Sequence, residues 1–321
     1  MVFWNLNHFC DYRCEYCFCG KEKLSAEHPD VGKHSAERIF EAFTRTGKTW
    51  QIHMSGGEPF LYPGFVELCQ KLTEKHCISI NTNFSTSNVF NFADTVKREK
   101  VFFINAGLHI AEREKNKSAL DEFIRRVLYF QDKGFNIDVG YLTYPPLLER
   151  MAKDIGHLRD KGVKLLNAKV FRGFYAGRRY PGAYTDTERE IIKKYTLDVR
   201  EIDIIDKKMN FFGSLCGTGM KYFRMDPAGN LFRCSSSFKS YGNLFDGTYS
   251  PDTVYAPCPV LNCDCPYEGL RYAKNEKGSY GSVCREALAE LAAIPRRGIT
   301  IKKILRHIRK RLTLNSENSE L

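Results

Sequence analysis

Apolar and polar positions fall into segments of two kinds over the first two thirds of the chain. Short apolar runs at 2–6, 51–54, 78–81, 101–108, 136–142 and 163–171 predict strands. Between them the apolar residues recur at helical spacing. Ala36, Ile39, Phe40 and Phe43 fall at i, i+3, i+4 and i+7. Leu120, Phe123, Ile124, Val127 and Leu128 do so after Ser118-x-x-Asp121, which reads as a helix cap. Residues 147–161, just past Pro145-Pro146, read as a further helix. Six strand-then-helix repeats imply parallel strands joined by right-handed crossovers. A complete eightfold barrel needs about 250 residues. The expectation is therefore an α/β fold, an incomplete (β/α)6 TIM-like barrel over 1–205, followed by a small Cys-rich C-terminal domain.

The pattern changes after the sixth strand. A loop at 172–182 carries Arg172, Arg178 and Arg179 among Phe174, Tyr175 and Tyr180. Thr185-x-x-Glu188 reads as a capping box that opens a short helix. Residues 220–234 read as a β-hairpin turning at Asp226-Pro227-Ala228-Gly229-Asn230. The Cys-, Pro- and Gly-rich region 206–284 has too few apolar residues for its own core and calls for a staple. In the tail, 285–321, Ile301, Ile304, Leu305, Ile308 and Leu312 keep helical spacing.

Composition sharpens this picture at two points. With 43% apolar residues the 321-residue chain can bury a sizeable core, and no apolar run approaches the ~18 residues of a membrane span. Met1-Val2-Phe3-Trp4-Asn5 offers no basic or cleavable leader, so a cytoplasmic location is expected. Twelve cysteines then stand out, because thiols clustered in a reducing compartment read as metal ligands before they read as disulfides. The net charge of +11 is concentrated in the tail, where eight Lys and Arg lie between 291 and 316 with no acid among them. No nucleic acid is expected as a partner of the mildly basic body.

Cys10, Cys14 and Cys17 form C-x3-C-x2-C immediately after the first strand. Three thiolates on one loop can each reach a different corner of an iron–sulfur cubane, leaving one iron open. The competing readings are a zinc knuckle and packed free thiols. Zinc takes four ligands in paired spacing, and Cys19 stands too close to Cys17 to complete such a set.

With Tyr16 in the aromatic slot before Cys17, this segment resembles the signature of the radical S-adenosylmethionine (SAM) superfamily. Ser55-Gly56-Gly57-Glu58-Pro59 after the second strand resembles that family's GGEP motif, and Asn81-Thr82-Asn83 closes the third strand as in some relatives. The resemblance spans about residues 1–170. It implies a [4Fe–4S] cluster on Cys10, Cys14 and Cys17 and SAM chelated through its methionyl group near Gly56, Gly57, Glu58 and Pro59. It also places Tyr16 near adenine, with Thr82, Asn83 and His109 around the cofactor. The implied reaction is reductive cleavage of SAM to a 5′-deoxyadenosyl radical that abstracts hydrogen from substrate, with an electron donor such as flavodoxin or ferredoxin. Chemistry at the carboxyl mouth of a barrel also nominates Asn105, His109, Glu112, Lys169 and Arg172; each could equally be an ordinary polar rim residue.

Cys216, Gly229 and Cys234 stand as C-x12-G-x4-C, with Cys258, Cys263 and Cys265 downstream. This resembles the SPASM and twitch extensions of radical SAM enzymes and implies a second, auxiliary [4Fe–4S] cluster. The downstream C-x4-C-x-C departs from the expected C-x2-C, so two of its three thiols are ligands and the pair is left open. A structural zinc site is the alternative. Cys69, Cys77 and Cys284 lie on apolar patterns and read as packed thiols. The arginine loop suits an anionic group, and a solvated connector is the alternative. The tail suits an anionic membrane surface, a partner protein or plain solvent. Relatives with such extensions oxidise or epimerise sugars and aminocyclitols or modify ribosomally made peptides, and a small-molecule or glycan substrate undergoing oxidation or epimerisation is expected here. The signature beginning at residue 10 leaves no room for a leader-binding domain, which weighs against a ribosomally made peptide. A peptide maturase, and a non-catalytic iron–sulfur or zinc-binding protein, remain the other readings.

Overall fold

A computed structural model of the chain describes residues 1–18, 30–206, 210–260 and 266–293. It divides into two compact units, Met1–Lys207 with Asp226–Ala228, and Lys208–Met225 with Gly229–Leu321.

The first unit alternates strand and helix: β1 (Val2–Asn7), α1 (Ala36–Thr44), β2 (Gln51–Gly56), α2 (Phe65–Leu72), β3 (Cys77–Thr82), α3 (Asn88–Thr95), β4 (Val101–Gly107), α4 (Ile110–Arg113), α5 (Ala119–Asp132), β5 (Ile137–Leu142), α6 (Met151–Asp160) and β6 (Leu166–Lys169). The six strands pair in parallel in the order 1-2-3-4-5-6, the winding of a barrel left open at β6. Period-2 alternation sorts their side chains. Val2, Trp4, Ile52, Met54, Ile78, Ile80, Ile104 and Val139 are fully or almost fully buried, and Trp4 meets Phe43 of α1 with ring centroids 6.1 Å apart. The opposite face is polar, with Asn5, His53, Ser55, Ser79, Asn105, Asp138 and Asn167 at the alternate positions.

Three local expectations change. Ser118 does not cap α5: its backbone is already helical, and its hydroxyl turns back to Asn116 Oδ1 at 3.2 Å. The helix expected over 147–161 is split into a 3-10 turn at Pro145–Leu147 and α6, because the prolines favour a separate first turn. The arginine-bearing segment 172–182 is a hairpin, β7 (Gly173–Tyr175) and β8 (Arg178–Tyr180), turned at Ala176-Gly177 with both residues left-handed. Arg178 and Arg179 are exposed on it. The Thr185–Glu188 capping box is present and opens α7 (Asp186–Tyr195), which α8 (Val199–Asp206) follows.

In the second unit, β9 (Ser214–Cys216) pairs antiparallel with β13 (Ala256–Pro257) and β14 (Ala273–Lys277), and β10 (Phe223–Met225), β11 (Asn230–Phe232) and β12 (Ser240–Asn243) form a meander. The helices are α9 (Pro266–Tyr272) and α10 (Tyr280–Ala293). Gly229 is left-handed at the hairpin turn, and a Cβ there would stand 2.4 Å from the Phe245 ring. The glycine of C-x12-G-x4-C is thus a steric requirement. Phe212, Val283 and Ala287 form a small core with Cys284 against it, while Cys69 is fully buried in α2. The basic tail and its amphipathic pattern, Cys19, Cys263 and Cys265 lie outside the described residues. Among the described residues no helix is long and apolar enough to cross a membrane.

His76 provides a pH test of the first unit. It is fully buried, accepts the Trp50 N–H at Nδ1 (3.3 Å) and faces Thr44 Oγ1 through Nε2 (3.3 Å). Burial, helped by Lys75 and Lys100, lowers its pKa from the ordinary 6.5 to about 4. Between those values the unfolded chain binds a proton that the folded chain refuses, so stability is complete above pH 6.5 and declines as pH falls towards 4. Urea midpoints should fall across that window. In His76→Gln this part of the decline should disappear, at the cost of a lower midpoint at pH 7.

Candidate active site

The three N-terminal thiols stand on the loop that leaves β1 at the carboxyl end of the parallel sheet. What fixes that loop is backbone packing. Gly57 N–H donates to Asn7 O (2.9 Å) and Glu58 N–H to Phe9 O (2.8 Å), while Asn7 Nδ2 returns to Glu58 O (3.1 Å). A Cβ on Gly56 would lie 2.3 Å from Asn7 O, and one on Gly57 1.9 Å from Phe9 O. The close approach that these glycines permit is therefore to the chain entering the Cys10 loop.

Glu58 turns its carboxylate inward and is fully buried. Oε1 accepts from Thr82 Oγ1 (2.6 Å) and Phe60 N–H (3.0 Å), and Oε2 from Asn83 N–H (2.6 Å). Burial pushes its pKa up to about 7 against the opposing pull of these bonds. Pro59 opens the 3-10 turn Pro59–Leu61 and is buried. Asn83 Nδ2 in turn donates to Asp11 Oδ1 (2.7 Å) and reaches Cys10 Sγ at 3.7 Å. One residue, through its carboxylate and its backbone, thus ties the exits of β1, β2 and β3 to the thiol loop.

The other side of the loop meets β4. His109, left-handed at φ 43°, places Nδ1 3.6 Å from Cys14 Sγ and 3.0 Å from the Tyr16 hydroxyl. Its ring stacks on Tyr16, with centroids 5.9 Å apart. Tyr16, His109, Tyr141 and Leu142 line a narrow crevice. Glu112 accepts the Arg13 N–H (3.4 Å) and pairs with Lys115 (2.7 Å), so it braces the loop from α4. Asn105 donates to Asn81 Oδ1 (3.2 Å) and Lys169 pairs with Asp138 (3.2 Å), both on the polar face of the sheet. Arg172 is exposed and lies apart in sequence from this group.

Sequence reasoning missed Arg113. Its guanidinium is 1% exposed and donates to Leu108 O (2.6 Å), Gly107 O (3.2 Å), Asn83 O and the Tyr12 hydroxyl (2.9 Å). It lies over the Phe123 ring at 3.9 Å. In the sequence it stands in a charged run, Glu112-Arg113-Glu114-Lys115, that carries no signal of burial.

Burial pushes the Cys10 and Cys14 thiols up to about 12, and neighbouring thiols and carboxylates add to the shift. A bound metal would draw off those protons. Among the described residues no three His, Cys, Asp or Glu side chains converge as a single ion requires. Three thiols on one loop are the donor type that iron–sulfur clusters take, so the chemistry of the set fits such a group at Cys10, Cys14 and Cys17. In the second unit β9–β13 pairing sets Ala256 opposite Cys216, and Cys258 N–H bonds Ser214 O (2.8 Å). Burial raises the Cys234 and Cys258 thiols, with Cys258 adding to the first and Cys216 to the second. These three thiols therefore share one neighbourhood.

Residues 4–159 match the Radical SAM superfamily. This stretch, just under half of the chain, is similar to that superfamily's domain, and the chain spans about a fifth of the length of the curated relative it matches. Over 63 residues it is 32% identical to GTP 3',8-cyclase 1 of Pseudomonas aeruginosa, a match covering 20% of this chain and 19% of that protein. Its fold is shared with SuiB of Streptococcus suis bound to S-adenosylmethionine, at TM-score 0.54 and 14% identity, covering 79% of this chain and 66% of that one. It is shared likewise with anSMEcpe with bound AdoMet, at TM-score 0.53 and 15% identity, covering 77% and 75%.

The brace predicts its own failure. Gly57→Ala forces a methyl into the Phe9 carbonyl and should cost about 2–4 kcal/mol. Glu58→Gln turns an amide N–H2 on the donors of Thr82 or Asn83 and should cost about 1–3 kcal/mol. Both variants should hold less iron per chain after anaerobic reconstitution, measured against unfolding midpoints by circular dichroism.

Proposed function

We propose that this chain reductively cleaves SAM to a 5′-deoxyadenosyl radical and uses it to abstract hydrogen from a small-molecule or glycan substrate, leading to oxidation or epimerisation. The observation that carries the reading is the set of three thiols on a loop locked to the carboxyl end of a parallel sheet. Cys10, Cys14 and Cys17 would hold a cluster there, and it would supply the electron for reductive cleavage of SAM. The chain's own residues do the rest. Cys10, Cys14 and Cys17 hold the group, and Glu58, with Gly56, Gly57 and Pro59, fixes the backbone beside it. Thr82 and Asn83 set the third strand's exit, and Tyr16 and His109 present stacked aromatic rings beside the loop. An electron donor such as flavodoxin or ferredoxin would serve the cluster, and a cytoplasmic setting would protect it.

Cys216 and Cys234, with two of Cys258, Cys263 and Cys265, are proposed to hold an auxiliary [4Fe–4S] cluster in a SPASM/twitch-like domain over 206–284. Its glycine geometry at Gly229 and the shared neighbourhood of three thiols support this. An anionic substrate group at Arg178 and Arg179, and contact of the basic tail with a membrane surface, remain part of the proposal.

A second reading is a peptide substrate. Two proteins of this fold have been solved with peptides, SuiB with the precursor peptide SuiA and anSMEcpe with the Cp18Cys peptide. Incubating reduced enzyme with SAM and either glycans or peptides, and following mass changes, separates the two.

The proposal is tested anaerobically. Reconstituted enzyme given dithionite and SAM should release 5′-deoxyadenosine, and Cys14→Ala should lower that release by at least about 10²-fold. Release that is equal in wild type and variant would reject the cleavage reaction; an iron–sulfur carrier or zinc protein would release none.

A further inference from the structure

A buried side-chain relay in the second unit ends on one of the auxiliary thiols. Thr218, Cys216 and Arg233 are 4%, 4% and 1% exposed. The Thr218 hydroxyl lies 3.2 Å from Cys216 Sγ and accepts from Arg233 Nε at 3.3 Å. The guanidinium is itself locked, since Nη2 donates to Ala256 O (2.9 Å) and Nη1 to Glu286 Oε2 (3.0 Å). Ala256 is the residue paired with Cys216 across β9 and β13. An arginine has donors only. Its N–H therefore occupies one acceptor site on the threonine oxygen, and toward a Cys216 thiolate, which has no proton to give, the threonine hydroxyl is the donor of the 3.2 Å contact.

We infer that Thr218 is a positioning residue that donates an O–H···S hydrogen bond to the Cys216 thiolate, oriented by Arg233, and that this bond raises the reduction potential of the auxiliary cluster. The inference rests on the auxiliary-cluster reading given above. A donor to a ligating sulfur withdraws electron density from the cluster and favours the state with one more electron. Arg233 adds a buried positive charge in the same direction, partly balanced by Glu286. Valine has the shape of threonine without the hydroxyl, so Thr218→Val deletes the bond with little change in packing; Thr218→Ser retains it.

The test uses full-length protein in which Cys10, Cys14 and Cys17 are all changed to alanine, so that any cluster left is the auxiliary one. After anaerobic reconstitution this protein should hold four irons per chain, and its electron paramagnetic resonance signal is titrated against potential. Thr218→Val in that background should shift the midpoint to more negative potential, or lose iron that Thr218→Ser retains. Thr218→Ser should titrate at the parent's potential. An unshifted midpoint in Thr218→Val with four irons retained overturns the relay alone, as does a Thr218→Ser protein that shifts equally. A parent protein without iron overturns the auxiliary-cluster reading and the relay with it.

Discussion

A carboxylate with no exposure to solvent, Glu58, holds the carboxyl end of the first unit together. Charge in such a place is costly unless every lone pair is answered. Here the answers come from Thr82, Phe60 and Asn83, and the backbone of the same residue is bonded to Asn7 and Phe9. Strand exits that would otherwise move independently are made one object. The thiol loop inherits that rigidity, because its first residues are the backbone against which Gly56 and Gly57 close. Arg113 does the same from the β4 side, reaching Asn83, Gly107, Leu108 and Tyr12 with one planar group. Preorganisation of this kind lets a loop, the least ordered kind of segment, present ligands at fixed separations.

Much of this was legible in the residues. The period of the apolar runs gives six parallel strands in consecutive order, since β-period and helix-period patterns are hard to confuse over such lengths. The C-x3-C-x2-C spacing locates the candidate site directly, because ligand sets lie close in sequence when a loop supplies them. What a sequence conceals is whose neighbour a residue becomes. Gly56, Gly57 and Glu58 read as neighbours of the SAM methionyl group; the spacing does not reveal that a Cβ on either glycine would meet the chain entering the Cys10 loop, or that the Glu58 carboxylate is buried. Arg113 looks like solvated charge. The hairpin at 173–180 was hidden because Ala176, a residue with no turn signature, occupies a left-handed position.

The second unit shows a different economy. It has an apolar cluster around Phe212, Val283 and Ala287 and further buried apolar residues on its meander, Phe223, Met225 and Leu231, and buried polar contacts add to these. Glu268 accepts from Tyr222 and Ser235, and Glu290 from Ser237 and the backbone of Phe238 and Lys239. Such networks hold a short, loop-rich segment in a single arrangement. In the reading proposed above, thiols placed among them would add a metal staple to these contacts.

Three thiols on the β1 loop are proposed to leave one corner of a cluster free for SAM. Electron paramagnetic resonance of the anaerobically loaded, dithionite-reduced protein, recorded before and after SAM is added, tests it most directly. The account predicts that SAM changes the g-values of the signal lost when Cys10, Cys14 and Cys17 are replaced together. A spectrum indifferent to saturating SAM, in protein that carries a full complement of iron, would contradict it.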